Sequence, residues 1–158
     1  MSILFSASEV VTMAIEIEKN GMDFYNALAS RVDDEKSQEL YRFLAGEEVK
    51  HKATFQKMLN NLKKVELTAA DEEEYNHYLK ALTNSRVFRT NQSADELLDD
   101  LKDEAGAIEF AINAEKDSIL FYYELLEQAF DEDRDSIENV IKEEKVHLAK
   151  LLTLRSEL

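Results

Sequence analysis

The sequence contains no cysteine and no proline, and only three glycines among its 158 residues. Without cysteine there is no disulfide, no thiolate metal ligand and no cysteine nucleophile. Because proline and glycine are the residues that interrupt helices, long helices are permitted along almost the whole chain. No apolar run reaches the length of about 18 residues that a membrane helix requires. The first residues, MSILFSASEVV, lack the basic start and the cleavage site of a signal peptide.

Positive charge is also scarce, since 19 Lys and Arg residues face 34 Asp and Glu residues, for a net charge of −15. Such a chain is poorly suited to nucleic acid, which is bound by basic patches. The charge favours cationic partners, metal ions included, although most of the carboxylates serve solubility. We expect one domain over residues 1–158, a cytoplasmic location, and neither a membrane nor a nucleic acid as partner.

Helical periodicity dominates the chain, and no segment alternates in the manner of a β-strand. Apolar residues that recur at intervals of three and four, Phe43 among the inward-facing ones, predict four long helices. These helices are expected at about residues 6–31, 35–62, 104–130 and 136–157. The acidic segment DEDRD, residues 131–135, predicts an exposed turn before the last helix.

A long segment, at about residues 63–103, connects the second and third of these helices. It contains a predicted helix at about 69–83, and the capping box SADE at 93–96 predicts either a further short helix or an early start of helix three. Because the other connections are short, helices one and two form an antiparallel pair, as do helices three and four. The sequence therefore predicts an all-α, antiparallel four-helix bundle with a long helical crossover between helices two and three, which is the ferritin-like arrangement.

The two halves of the chain repeat one pattern. The segment EKNGMDFYNAL from Glu18 aligns with EKDSILFYYEL from Glu115. Each is followed, at the same distance to within one residue, by a Glu-x-x-His motif. The motifs lie in the near-identical pentapeptides EEVKH and EEKVH, which end at His51 and His147. Two of the three histidines of the chain are therefore used in matching positions.

Residues three apart on a helix share a face, so both residues of each motif can point into the bundle. Charge buried there without compensation would be very costly, and a pair of metal ions removes that cost. Four carboxylates and two imidazoles are the ligand set of a di-iron or di-manganese site. We expect two iron ions, with manganese or a mixed pair as the alternative. The predicted ligands are Glu18, Glu48, His51, Glu115, Glu144 and His147.

Other polar residues near these positions have less specific signals. Tyr25 and Tyr122 each follow a ligand glutamate by seven positions and share its face. They are either core aromatics or hydrogen-bond partners of a ligand carboxylate. Glu47 and Glu143, beside the motif glutamates, are expected to point away from the ligands, as carboxylates of the surface or of an entry path. His77 has no matching glutamate and is expected to be a surface histidine.

The segments AIEIEKNGMDFY, AGEEVKH, INAEKDSILFYYEL and IKEEKVH resemble the rubrerythrin-related branch of the ferritin-like superfamily. The resemblance covers most of the chain, apart from the middle of the crossover. It implies a di-iron four-helix bundle, assembled as a homodimer or a larger oligomer, that acts on peroxide, dioxygen or ferrous iron. It also implies that the six residues named above are the metal ligands.

The sequence departs from rubrerythrin proper in two respects. The rubredoxin domain of that protein holds iron with four cysteines, and this chain has none, so electrons would come from another protein or from ferrous ions. The extra carboxylate ligand after the third-helix glutamate is replaced by Ser118, with Gly21 at the matching place in the first half. This replacement places efficient peroxidase chemistry in doubt and favours a more symmetric site, closer to those of ferritins or oxidases.

Three functions are therefore open at the level of the sequence. The first is an oxidoreductase that reduces hydrogen peroxide or dioxygen at the dinuclear site, in defence against oxidative stress. The second is a ferroxidase or iron-handling protein, for which ferrous iron is the substrate. The third is a non-catalytic bundle that metal stabilises.

Overall fold

A computed structural model describes residues 7–62 and 92–158 of the chain. These two stretches form five α-helices, in agreement with the all-α prediction. The helices are α1 (Ala7–Arg31), α2 (Glu35–Leu62), α3 (Ala94–Leu101), α4 (Glu104–Gln128) and α5 (Asp131–Glu157). The helix predicted at about residues 69–83, and His77 within it, lie outside the described residues.

The four long helices pack as two pairs. Helix α1 lies along α2 and α4 lies along α5, and contacts of α1 with α4 and of α2 with α5 join the pairs. Only residues 32–34 separate α1 from α2, and only residues 129–130 separate α4 from α5. Connections this short make each pair antiparallel. None of the helices in the described ranges is long and apolar enough to cross a bilayer.

The core follows the predicted periodicity. On α1, Val10, Ile17, Phe24 and Leu28 form one buried stripe, each with 3% or less of its surface exposed. Burying a side chain of this size contributes about 1.5–3 kcal/mol, so a stripe of this kind on each long helix holds the bundle together. Phe43 was expected to join the core from α2 but is 43% exposed, because it lies at the edge of the stripe that contains Leu44.

The corner between α3 and α4 is tight. The Ser93 hydroxyl accepts a hydrogen bond from the Glu96 backbone N–H at 3.1 Å, which is the N-cap half of the predicted capping box. Lys102 has a φ of 72° and a ψ of −56°, and the Asp103 N–H donates across it to the Leu101 carbonyl at 2.9 Å. This geometry is that of a γ-turn, a strained conformation for a residue with a side chain.

The start of the last helix differs from the prediction. Residues 131–135 are not an exposed turn, because α5 begins at Asp131 and α4 ends at Gln128. Three acidic residues occupy the first turn of α5, where negative charge interacts favourably with the helix dipole. Arg134 also donates to the Leu126 carbonyl at 2.8 Å, at the end of α4, where that carbonyl accepts a second hydrogen bond from the Ala129 N–H at 3.4 Å.

Candidate metal centre

Ionisable side chains interrupt the apolar stripes of all four long helices near the middle of the bundle. Each of them has 3% or less of its surface exposed, although glutamate and histidine are seldom buried so completely. One residue comes from α1, two from α2, one from α4 and two from α5. They are Glu18, Glu48, His51, Glu115, Glu144 and His147.

The two Glu-x-x-His motifs face each other across the bundle. Glu48, His51, Glu144 and His147 each offer one ligand atom, and these atoms lie within 4.8 Å of one another. The two imidazole rings are stacked, with their centroids 5.5 Å apart and their planes at 23°. The structure therefore brings together the four motif residues that the repeat singles out.

The carboxylates of the cluster surround the histidine nitrogens. The Nδ1 atom of His51 lies 3.2 Å from Glu144 Oε1 and 3.6 Å from Glu18 Oε1. The Nδ1 atom of His147 lies 3.0 Å from the other oxygen of Glu144. Glu18 of the first helix pair thus meets Glu144 of the second around a single imidazole.

Two buried tyrosines hold the glutamates of α1 and α4. The Tyr25 hydroxyl donates to Glu115 at 2.6 Å, and the Tyr122 hydroxyl donates to Glu18 at 2.5 Å. Each tyrosine therefore binds the carboxylate of the opposite repeat rather than the glutamate on its own helix. The two crossed hydrogen bonds tie α1 to α4 and leave the second oxygen of each carboxylate to face other groups.

Burial changes the acidity of these side chains. Desolvation, reinforced by neighbouring carboxylates, raises the pKa of Glu48 and of Glu115 well above the ordinary value. Burial and the charge of Glu144 likewise raise the pKa of Glu18. Burial also disfavours the ionised form of Glu144, but hydrogen bonds with His147 and His51 outweigh it and hold the pKa of Glu144 below the ordinary value.

The pKa of His51 is raised, which favours the protonated imidazole. Burial alone would lower its pKa, but hydrogen bonds to Glu144 and Glu18 raise the pKa of His51 to about 11. Protons on the imidazole and on the raised carboxyls therefore partly balance the negative charge of the cluster.

The hydrogen bonds of the cluster do not satisfy all of its oxygens. Among the described residues, Glu18 Oε2 and Glu48 Oε1 are buried without a hydrogen-bond partner. A buried carboxylate oxygen of this kind is costly, and native proteins leave few of them. Carboxylate oxygen and imidazole nitrogen are the donors that iron, manganese and zinc accept. The donor set and its unsatisfied oxygens therefore fit a pair of metal ions.

Glu143 lies closer to the cluster than the sequence suggested. Its side chain is 51% exposed, in line with the expected surface position, but its Oε2 atom lies 2.7 Å from His51 Nε2. Glu47 has a side chain only 14% exposed and pairs with Lys50 at 3.4 Å. Helical rotation alone pointed both carboxylates outward. The sequence feature that could have identified both residues is the pair of consecutive glutamates that begins each pentapeptide.

Two further positions bear on the symmetry of the site. The buried Ser118 hydroxyl donates to the Ala114 carbonyl on its own helix at 2.9 Å, so it bonds the backbone at the place of the extra carboxylate. Phe43 meets the His147 ring edge-on at 5.9 Å, and Lys150 lies 5.1 Å from the centre of the Phe43 ring. The Phe43 ring therefore borders His147, whereas the Glu143 carboxylate borders His51.

Known proteins resemble this chain in sequence pattern and in fold. A family model for rubrerythrin matches residues 9–155. A crystal structure at 2.30 Å resolution, described as a ferritin-like diiron-carboxylate protein of Thermotoga maritima, aligns with a TM-score of 0.73. The two chains are 24% identical, and the alignment covers 99% of each. This likeness establishes the ferritin-like fold. No curated protein sequence matches the chain significantly.

Proposed function

Because the chain belongs to the rubrerythrin family, we propose that it binds two metal ions, iron in the first place, and reduces hydrogen peroxide or dioxygen. The observation that carries the proposal is the buried cluster of four glutamates and two histidines, in which two carboxylate oxygens lack a hydrogen-bond partner among the described residues. Two cations would satisfy those oxygens and neutralise the remaining charge. In a cell, such an activity would serve defence against oxidative stress.

The position of each side chain supports a particular role. Glu48 and Glu144 come from the two facing motifs and would hold both ions. Glu18 and Glu115, each held on one oxygen by a tyrosine, would bind one ion apiece through the other oxygen. His51 and His147 complete the set. A pair of ferrous ions, if bound by these residues, would supply two electrons to the oxidant and so avoid a one-electron radical product.

The protein itself orients the ligand carboxylates, excludes water from the site and holds protons there. Tyr25 and Tyr122 fix the rotation of the two carboxylates that they bind. Phe55, whose ring lies 5.0 Å from that of Tyr122, and Leu44 are fully buried and help to exclude water. Protons held by the raised carboxyls must leave when cations arrive, so loading should release protons to the solvent.

A ferroxidase or iron-handling role is the second candidate. Ser118 favours it, because a hydroxyl bonded to its own helix replaces the extra carboxylate of rubrerythrin proper. In that role ferrous iron is the substrate, and oxidised iron leaves the site. In the first role the iron stays, and an external donor, which we propose to be another protein, returns the electrons.

Iron counting tests the site. Metal-free protein is loaded with ferrous iron without oxygen, desalted and analysed for iron per chain. We expect about two irons for the parent, and clearly fewer for the double variant Glu48→Ala, Glu144→Ala. Glu138→Gln, which changes an exposed glutamate of α5, is the matched control and should load as the parent does. The same low iron content in all three proteins would refute the iron site, and manganese should then be tried.

Rapid mixing of the loaded protein with peroxide or with dioxygen separates the functions. Fast oxidation by either oxidant, with iron retained and repeated turnover when a reductant is added, is the result expected of an oxidoreductase. One oxidation followed by release of iron would favour the ferroxidase. If the bound iron is stable and neither peroxide nor dioxygen oxidises it, the remaining function is that of a non-catalytic bundle stabilised by metal.

A further inference from the structure

Both ring nitrogens of His51 have a carboxylate partner. Its Nδ1 atom faces Glu144 and Glu18 inside the bundle, at 3.2 and 3.6 Å. Its Nε2 atom lies 2.7 Å from Glu143 Oε2, at the outer surface. The imidazole is 98% buried, whereas half of the Glu143 side chain is exposed. A half-exposed carboxylate therefore contacts the second nitrogen of a buried ring whose first nitrogen faces the buried carboxylates.

We propose that Glu143 is a positioning residue for His51, an inference that rests on the metal site of the proposed function. A carboxylate accepts hydrogen bonds, so Nε2 carries a proton and donates it to Glu143. In the metal-free protein Nδ1 also donates, to Glu144, and metal binding would displace that proton and leave the Nδ1 lone pair for the ion. Carboxylates that hold the second nitrogen of a ligand histidine fix the orientation of the ring and raise its basicity.

The duplicated sequence makes this contact unexpected, because only one of the two motifs has it. Glu47 is the counterpart of Glu143, and strict symmetry would place it against His147. Instead, Glu47, His51 and Glu143 offer atoms within 4.8 Å of one another, so both outer carboxylates gather at the same histidine. His147 borders the ring of Phe43. The halves of the centre therefore differ, and one ion should depend on Glu143 more than the other does.

The exposure of Glu143 permits a clean test, since a surface side chain can be changed without opening the core. Glu143→Ala removes the acceptor, and Glu143→Gln keeps an acceptor oxygen but loses the charge. Glu47→Ala is the matched control from the same position of the other motif. Each variant is first checked for helix content and for its unfolding temperature against the parent.

Zinc is the probe, because it accepts the same ligands and is diamagnetic. Calorimetric titration with a competing chelator should give two zinc ions for the parent. Glu143→Ala should bind one of them about 10- to 100-fold more weakly, the usual effect of losing such a partner. Glu143→Gln should recover part of the loss, and Glu47→Ala should change the affinity less than Glu143→Ala does.

Nitrogen-15 NMR of the zinc-loaded protein reports on the ring itself. In the parent, His51 should have Nδ1 bound to metal and a protected proton on Nε2. In Glu143→Ala that proton should exchange rapidly with water, while the His147 signals stay unchanged. A change confined to His51 is a signature that a merely structural role of Glu143 would not produce.

The outcomes separate the inference from the proposed function. Two zinc ions bound with parental affinity by Glu143→Ala would overturn the positioning role and leave the site intact. An equal loss of both ions, with a lower unfolding temperature, would overturn it in favour of a structural role. Failure of the parent to bind zinc, iron or manganese would refute the site, and the inference with it.

Discussion

The ionisable side chains at the centre of this bundle outnumber the hydrogen bonds that could satisfy them. Glu18 and Glu48 each keep a buried oxygen without a partner in the described structure. Glu144, by contrast, receives hydrogen bonds from both histidines. A cluster that is satisfied in part is less favourable than an apolar core, unless cations complete it. These residues therefore lower the stability of the metal-free protein and, in return, would bind metal ions more tightly.

The raised pKa values predict how the metal-free protein responds to pH. Glu48 and Glu115 hold their protons more tightly in the folded protein, so the stability that they contribute is complete below their ordinary pKa of 4.5. It is lost as the pH rises through the raised pKa. The contribution of His51 to stability also decreases as the pH rises, since its pKa rises from 6.5 to about 11 on folding. We therefore expect the free energy of unfolding to fall between about pH 6 and pH 8.

Urea unfolding in the presence of a chelator measures this dependence. Glu48→Gln, which removes one of the titrating groups, should be more stable than the parent at the upper pH and should vary less with pH. Glu144 has a lowered pKa, so its contribution is lost only on acidification below about its ordinary value of 4.5, outside this window. Stability that increases between the two pH values would contradict the prediction.

The crossed tyrosines give a second prediction for single residues. Tyr122→Phe removes the hydrogen bond that the tyrosine hydroxyl donates to Oε1 of the buried Glu18. The other oxygen of Glu18 has no hydrogen-bond partner among the described residues. We expect the metal-free protein to lose about 1–3 kcal/mol. Tyr123→Phe is the control, because that neighbouring hydroxyl is exposed and contacts only the Lys145 amine among the described residues. Equal stability of the two variants in urea would show that the buried bond contributes nothing.

The residues of the centre differ in how far the sequence could predict them. The six candidate ligands follow from the repeat, because a duplicated spacing is visible without the fold. That Tyr25 binds Glu115 was not predictable, since the bond joins helices that are distant in sequence. Glu143 was placed on the surface by helical rotation, and only the packing of α5 against α2 brings its carboxylate to His51.

Among the helices, α1 and α2 end where the periodicity predicted, and α5 starts earlier. Asp33 and Asp34 lie in a true connection, where the Asp34 carboxylate accepts from the Ser37 N–H at 2.9 Å. The similar run at residues 131–135 is helical instead. An acidic run is compatible both with a turn and with the first turn of a helix, so composition could not distinguish the two.

The two glycines on α2 and α4 give a prediction about the helices. A Cβ atom on Gly106 would lie 2.4 Å from the Leu101 carbonyl oxygen in the tight corner, whereas nothing lies within 4 Å of a Cβ atom on Gly46. Gly106→Ala should therefore cost about 1–3 kcal/mol, because backbone must move. Gly46→Ala, in the exposed interior of α2, should gain about 0.5–1 kcal/mol. Thermal unfolding of both variants tests the pair, and a stabilised Gly106→Ala would contradict it.

At the scale of the whole molecule, the sequence predicted the bundle because every level agreed. The lack of proline allowed long helices, and the apolar stripes gave each helix one face toward the core. The short connections predicted that consecutive long helices form antiparallel pairs. The crossover was read only from its length, and residues 63–91 lie outside the described structure. How the two pairs meet could not be derived from periodicity, since both pairs carry equivalent stripes.

Assembly is a prediction at the same scale. Leu120, Tyr123 and Val146 are exposed apolar residues on α4 and α5, with exposed fractions of 66%, 41% and 53%. Such residues are candidates for a contact between copies, and we propose a homodimer. Light scattering after gel filtration should give about twice the chain mass of 18.2 kDa. A mass of one chain across a range of concentrations would refute the dimer.

Anomalous X-ray diffraction at the iron edge would show whether the buried cluster holds the two iron ions that we propose. Crystals of protein loaded with ferrous iron without oxygen should give two anomalous peaks per chain. Both peaks should lie between Glu48 and Glu144, with His51 and His147 as neighbours. Iron peaks only at surface carboxylates, or none near these four residues, would refute the iron site.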